Sequence, residues 1–120
     1  MDILIVDDDA VFGELLLDQL STTRYDVGFH HGPFGTLNAI RAAKPRLVIM
    51  DVNMPGLHGA AIGDLMQKTT GLESTQILLF SSMDIEDLTL LLGVHHAHGA
   101  LNKSVAKGEL LATIARMIGN

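Results

Sequence analysis

Four short stretches of the chain hold groups that could do chemistry: the acidic run Asp7-Asp8-Asp9, Asp51 with Asn53 two residues on, the hydroxyl pair Ser81-Ser82, and Lys103. Carboxylates gathered in one place repel, and two unit charges about 4 Å apart cost roughly 4 kcal/mol at an effective dielectric of 20. A divalent cation removes that cost. A ligand set made only of oxygens, without His or Cys, selects a hard cation, and Mg²⁺ needs only one or two carboxylates because it keeps several waters. Lys103 would add a compact ammonium. A carboxylate, Mg²⁺, an ammonium and a hydroxyl are also the equipment of phosphoryl transfer, which requires an in-line nucleophile and neutralised equatorial oxygens. The carboxylate can itself be the nucleophile and become an aspartyl phosphate. Asp51 is the candidate: it ends the most apolar short run of the chain, and Met54-Pro55-Gly56 after it lets the chain turn away sharply.

These groups lie far apart in the sequence, so secondary structure must gather them. Short continuous apolar runs read as strands buried on both faces. They are Ile3-Leu4-Ile5-Val6, Val27-Gly28-Phe29, Leu47-Val48-Ile49-Met50 and Ile77-Leu78-Leu79-Phe80, with a weaker fifth at Gly99-Ala100-Leu101. Between them, apolar residues recur at helical spacing. The stripes are Val11, Phe12, Leu15, Leu16 and Leu20; Leu37, Ile40 and Ala43, stopped by Pro45; Ile62, Leu65 and Met66; Ile85, Leu88, Leu91 and Leu92; and Leu110, Leu111, Ile114 and Met117. Asp9 and Asp84 are placed to cap the first and fourth helices, Gly93 to close the fourth, and Ser104 to cap the fifth. Five strand–helix units imply an α/β fold, a parallel sheet with helices on both faces joined by right-handed crossovers. Ligands of such sheets bind beyond the carboxyl ends of the strands. The acidic run follows the first strand, Asp51 the third, Ser81 the fourth and Lys103 the fifth, so all of them would face one edge.

The chain has 120 residues, the size of one domain spanning 1–120. With 48% hydrophobic and 18% charged residues it can bury a core. Eight Lys and Arg against fourteen Asp and Glu leave a formal net charge of −6. Such a chain has no general attraction to a phosphate backbone, which argues against direct nucleic-acid binding. The lack of cysteine excludes disulfides, Cys-ligated zinc and thiol nucleophiles, and fits a reducing, cytoplasmic compartment. No apolar run approaches the roughly 18–20 residues that span a bilayer, and the acidic start from Asp2 to Asp9 is the reverse of a signal peptide. His95, His96 and His98 lie in or beside a helix end without a partner cluster, which argues against a zinc or nickel site; His30, His31 and His58 read as surface or loop residues. Leu90, Leu91 and Leu92 are consecutive and cannot share one helical stripe, so at least one is expected to be exposed or covered by a partner.

Four pieces of the chain together resemble the receiver domain of bacterial two-component response regulators. They are Ile5-Val6-Asp7-Asp8-Asp9, Val48-Ile49-Met50-Asp51-Val52-Asn53-Met54-Pro55-Gly56, Leu79-Phe80-Ser81-Ser82 and Leu101-Asn102-Lys103, and the resemblance covers essentially the whole chain. It implies a flavodoxin-like (βα)5 fold, a doubly wound parallel five-stranded sheet of strand order 2-1-3-4-5. It implies that Asp51 accepts a phosphoryl group from a sensor histidine kinase or a His phosphotransfer protein. Asp8, Asp51 and the backbone carbonyl of Asn53 would ligate Mg²⁺, with Asp7 acting through a bound water. Ser81 would hydrogen-bond the phosphoryl group and shift toward it, and Lys103 would pair with a phosphoryl oxygen. The signal would leave through the face made by the fourth helix, fifth strand and fifth helix, to an output protein or a second copy of the chain. Such a domain is a switch in signal transduction rather than a turnover enzyme.

The chain departs from the family pattern at three positions. Ala100 stands where an aromatic ring usually reorients when the switch hydroxyl moves, and Phe80 cannot replace it, because neighbours in a strand point to opposite faces. Ser104 stands where a proline, often with a cis bond, usually follows the lysine; either a trans bond with a shifted loop or a strained cis bond is open here. Met83 stands where members that lose the phosphoryl group quickly often carry a polar residue, which points to slow hydrolysis. Two further readings compete. A pseudo-receiver would keep the fold and bind partners without phosphorylation, in keeping with Ala100 and Ser104. An Asp-nucleophile phosphatase would use the Asp-x-Asp spacing of Asp7 and Asp9, but Ala10 follows where a small hydroxyl residue is usual and the chain has no room for a cap domain.

Overall fold

The computed structural model describes residues 1–54, 59–69, 71–93 and 96–119. Strands and helices alternate along the chain: β1 (Ile3–Asp7), α1 (Ala10–Ser21), β2 (Val27–His31), α2 (Thr36–Ala43), β3 (Leu47–Met50), α3 (Gly59–Lys68), β4 (Gln76–Ser81), α4 (Ile85–Leu90), β5 (Gly99–Asn102) and α5 (Lys107–Ile118). The five strands form one sheet in the order β2-β1-β3-β4-β5, and every pairing is parallel. This is the doubly wound arrangement expected from the sequence.

Side-chain alternation along each strand divides the core in two. Ile3, Ile5, Leu47, Ile49, Leu78, Phe80 and Leu101 point to one face and pack with Leu16 and Leu20 of α1 and Leu110, Ile114 and Ile118 of α5. Leu4, Val6, Val48, Met50, Ile77 and Leu79 point to the other, against Ile40 of α2, Ile62 and Met66 of α3 and Leu88 of α4. Both faces of β1, β3 and β4 are therefore dry, which is why those strands read as unbroken apolar runs. The edge strands β2 and β5 are mostly half-buried and carry Gly28, His30, His31, Gly99 and Asn102, so their signal is weaker.

The helices differ from the expected stripes in instructive ways. Val11 and Leu15 of α1 are 72% and 58% exposed; the buried residues are Gly13, Leu16 and Leu20. Gly13 carries no side chain for a periodicity to register, yet it marks the buried face: a Cβ there would lie 2.2 Å from the ring of Phe29 in β2. Leu65 of α3 is likewise exposed. Helix α4 stops at Leu90, short of Gly93, as the chain tightens into bonds from Leu91 N to Leu88 O and from Leu92 N to Thr89 O. Asp84 does precede α4, but its side chain makes no capping bond. Ser104 does not cap α5; Ala106 precedes that helix, and Ser104 bonds Asn102 instead. The Lys103–Ser104 bond is trans, since among the described residues the cis bond is Gly32–Pro33. The turn residues Pro55 and Gly56, and His58 and His95, lie outside the described residues. No described helix is long and apolar enough to cross a membrane.

Candidate functional site

Parallel pairing carries the ends of β1, β3, β4 and β5 to one edge of the sheet. Val6 of β1 lies beside Met50 of β3, Met50 beside Leu79 of β4, and Ser81 beside Asn102 of β5. The next residues are those that could do chemistry. Asp7 closes β1 and is 2% exposed; its Oδ1 accepts the backbone N–H of Asp9 at 2.9 Å. Asp9 in turn caps α1, accepting the N–H of Phe12 at 3.0 Å. Asp51 extends the β3 line, with its N–H donating to Val6 O at 3.1 Å, and its Oδ1 accepts the N–H of Asn53 at 3.0 Å.

Carboxylate oxygens of Asp7, Asp8 and Asp51 all lie within 4.8 Å of one another. Lys103 answers this charge: its Nζ is 2.7 Å from Asp7 Oδ2 and 2.9 Å from Asp51 Oδ2. Burial raises the pKa of the Asp7 carboxyl; bonds from Lys103 and the Asp9 N–H oppose that rise, and the Asp51 charge adds to it. Burial alone would lower the pKa of the Lys103 ammonium, but its bonds to Asp7 and Asp51 outweigh this, and the net shift is upward. With its acids ionised the group carries three negative charges and one positive, and the residual charge of −2 is what one divalent cation cancels. The donors are all oxygen, and the half-exposed carboxylate of Asp8 has no partner among the described residues. The site thus fits a hard cation such as Mg²⁺.

Ser81 ends β4 fully buried, while Ser82 is exposed. The Ser81 Oγ accepts from Asn53 Nδ2 at 3.1 Å and from the N–H of Met83 at 3.3 Å, and its own proton has no acceptor among the described residues. Its backbone carbonyl accepts the N–H of Lys103 at 2.8 Å, so the hydroxyl and the ammonium share one backbone tie.

The structure therefore gathers Asp7, Asp8, Asp51, Asn53, Ser81 and Lys103 at one edge. It also brings in three residues that the sequence reading left out. The ring of Phe12 lies under Lys103, with Nζ 4.2 Å from its centroid. Asn102 bridges two loops, donating to Met83 O at 2.8 Å and accepting from Ser104 N at 2.8 Å and Ser104 Oγ at 2.6 Å. His31 places Nε2 2.8 Å from Asp8 O. Position in the sequence marks Phe12, three residues after a capping Asp, and Asn102, directly before Lys103, but not what they touch; the place of His31 beside Asp7 is set by the sheet register alone. Phe80 faces away from Ser81, packed 5.8 Å from Phe12, and Ala100 is half-buried against the second core.

Comparison with known proteins gives a consistent family. A family model described as the response regulator receiver domain matches residues 3–115. The DNA-binding response regulator MtrA of Mycobacterium tuberculosis is 30% identical over 88 residues, 73% of this chain and 38% of that protein. The response regulator MprA of Mycobacterium avium is 30% identical over 118 residues, 98% of this chain and 51% of that protein. The chain thus spans 38% to 51% of the length of these relatives. Among solved structures, the chemotaxis protein CheY4 of Vibrio cholerae superposes with a TM-score of 0.86 at 23% identity, covering 98% of both chains. The response regulator TrrA of Thermotoga maritima, solved in complex with Mg²⁺-BeF, superposes with a TM-score of 0.82 at 24% identity, covering 98% of this chain and 100% of that one.

Proposed function

The chain belongs to the response regulator receiver domain family, and from that premise we propose that Asp51 accepts a phosphoryl group, with Mg²⁺ bound, from a phosphohistidine of a sensor histidine kinase or a His phosphotransfer protein. One observation carries the reading: a buried carboxylate at a strand end touches an ammonium at 2.9 Å and has two further carboxylates within 4.8 Å. Asp8, Asp51 and the backbone carbonyl of Asn53 would hold Mg²⁺, with Asp7 acting through a water. Bound there, the ion supplies charge neutralisation for the phosphoryl oxygens.

An oxygen of Asp51 attacks phosphorus, a P–O bond forms, and the P–N bond to the donor imidazole breaks with its electron pair going to the departing nitrogen. The chain needs no proton acceptor for this step, because the nucleophile is already a carboxylate. Lys103 exchanges one carboxylate for a phosphoryl oxygen. The Ser81 hydroxyl, buried and with no acceptor for its proton among the described residues, donates to another. Because Ser81 Oγ also holds the N–H of Met83, and Asn102 holds the carbonyl of Met83, a shift of Ser81 pulls on the loop before α4 without an aromatic ring at Ala100. The α4–β5–α5 face then meets an output protein or a second copy, and Leu90, 77% exposed, lies on α4. Met83 packs its apolar side chain against the second core and gives no strong polar group to orient water, which favours slow loss of the phosphoryl group. The reading implies a cytoplasmic switch, with no direct nucleic-acid or membrane contact by this domain.

The phosphatase alternative loses its second acid, since Asp9 is exposed and spends its carboxylate capping α1. The pseudo-receiver alternative must leave a complete set of phosphoacceptor groups unused. Incubation with Mg²⁺ and acetyl phosphate, followed by intact mass measurement, separates the readings. A single phosphoryl adduct on the native chain, absent from Asp51→Asn, is expected; an adduct that survives in Asp51→Asn, or none on the native chain, would overturn the assignment.

A further inference from the structure

We propose that Phe12 is a positioning residue for Lys103, its ring face holding the ammonium in place while the charged partners of that ammonium change. The proposal rests on the reading of Asp51 as phosphoacceptor and extends it to a residue outside the acidic pocket.

Among the described residues Lys103 Nζ meets two carboxylates and a ring: Asp7 Oδ2 at 2.7 Å, Asp51 Oδ2 at 2.9 Å and Phe12, 4.2 Å to its centroid. Phosphoryl uptake disturbs the first two. A divalent cation competes with the ammonium for the same carboxylates, and conversion of the Asp51 carboxylate to an acyl phosphate moves its negative charge onto the phosphoryl oxygens. The ring takes no part in that exchange, and its quadrupole attracts a cation whatever the neighbouring charges become.

Phe12 is itself held at two points, its backbone and its ring. The Phe12 N–H is bound to the capping carboxylate of Asp9 at 3.0 Å, and the ring packs against Phe80 at a centroid distance of 5.8 Å and a tilt of 50°. Asp9 directly follows Asp8, so one short segment supplies carboxylates to the pocket and fixes the platform beneath the lysine. Lys103 and the Phe12 ring together border a cleft of about 200 Å³ between α1 and α5, lined also by Leu15, Phe80, Val105 and Lys107. An ammonium released by Asp7 and Asp51 has room to swing into that cleft, and the ring is the contact that resists it. A lysine is a mobile point charge on a flexible stem, and holding it near the reacting centre is a contribution to rate that an aliphatic side chain of similar size does not supply.

The test uses the full chain and acetyl phosphate, with the initial rate of adduct formation read by intact mass. Mg²⁺ affinity is measured separately, without phosphodonor, by thermal-melting titration. Phe12→Leu should lower the rate at saturating Mg²⁺ roughly tenfold, about 1.4 kcal/mol, within the span of cation–π contacts. Its Mg²⁺ affinity should hold or tighten, because a less anchored ammonium competes less well for Asp7 and Asp51. Phe12→Tyr keeps the ring, has the cleft for its hydroxyl, and should retain the native rate. Phe12→Met, apolar and ringless, should behave as Phe12→Leu and serves in its place if that variant does not fold. Equal losses in the Tyr and ringless variants, a native rate in the ringless variants, or a loss of Mg²⁺ affinity parallel to the loss of rate would overturn the proposal. A native chain that takes up no phosphoryl group fails earlier and by a different readout, and removes the reading of Asp51 together with this extension.

Discussion

Asp7 is the residue at which the fold works hardest against charge. Its burial favours the neutral carboxyl, the nearby Asp51 adds to that preference, and Lys103 offsets only part of it. The sign of the pH effect follows. An acid whose pKa is raised above its ordinary 3.8 stabilises the fold below that value and loses this contribution as pH rises through the raised one. In Mg²⁺-free solution Asp7 therefore makes the domain less stable toward neutral pH. Asp7→Asn replaces the carboxylate with a neutral group of the same shape and leaves Lys103 its bond to Asp51, so the metal-free variant should melt higher than the native chain at pH 7, with the gap closing toward pH 4. An Asn variant that melts lower at pH 7 would show that the Asp7–Lys103 pair outweighs burial. The same residue scale explains what was legible in the sequence. Asp8, Asp51, Ser81 and Lys103 could be read because each directly follows or ends an apolar strand. Phe12 and Asn102 could not, because their roles depend on which groups the fold sets beside them: a lysine just past β5, 91 positions on from the phenylalanine, and a carbonyl in the loop before α4.

Elements were legible in proportion to how completely they are buried. β1, β3 and β4 stood out because both faces are dry, whereas β2 and β5 end the sheet and mix glycine and polar residues with apolar ones. Of the apolar stripe of α1, Phe12, Leu16 and Leu20 do face the core, while Val11 and Leu15 do not, because the closest approach to the sheet is made by Gly13. Helix α4 is the least self-sufficient element. Six residues are too few for a stable isolated helix, and its start lacks a side-chain cap. It is fixed by tertiary packing through Leu88, which is fully buried, while Leu90 two residues on is 77% exposed. Leu88→Ala should cost about 3 kcal/mol, as for other buried leucines. Leu90→Ala should stay within roughly 0.5 kcal/mol, while being free to alter contact with a partner. Chemical denaturation of the two variants reads both values, and equal costs would mean that α4 is not pinned as described. A helix held by one anchor and tied to Ser81 through the Met83 loop is the element best suited to move on phosphorylation.

At the scale of the whole molecule, both cores are built from the same three central strands, and the chemistry stands at the edge where those strands end. The sheet therefore sets the distances among Asp7, Asp8, Asp51 and Lys103 with its full packing energy behind them, and the three carboxylates cannot spread apart to relieve their repulsion. The surplus charge of the site sits on a chain whose formal net charge is already −6, so long-range repulsion adds to the local cost. A divalent cation that binds the folded chain and not the unfolded one should stabilise the whole domain by mass action, about 2.7 kcal/mol at one hundred times its dissociation constant. Above the dissociation constant the melting temperature should keep rising with the logarithm of the Mg²⁺ concentration, as linkage requires. Asp8→Asn should abolish most of that rise while its metal-free melting temperature equals or exceeds the native one, because among the described residues the Asp8 carboxylate has no partner to lose and its neutralisation relieves repulsion in the pocket. Equal Mg²⁺ responses in the native chain and in Asp8→Asn would place the ion elsewhere on the acidic surface. A response confined to the native chain would tie the ion to the edge where Asp51 waits, and would show that one carboxylate contributes to stability only when the cation is present.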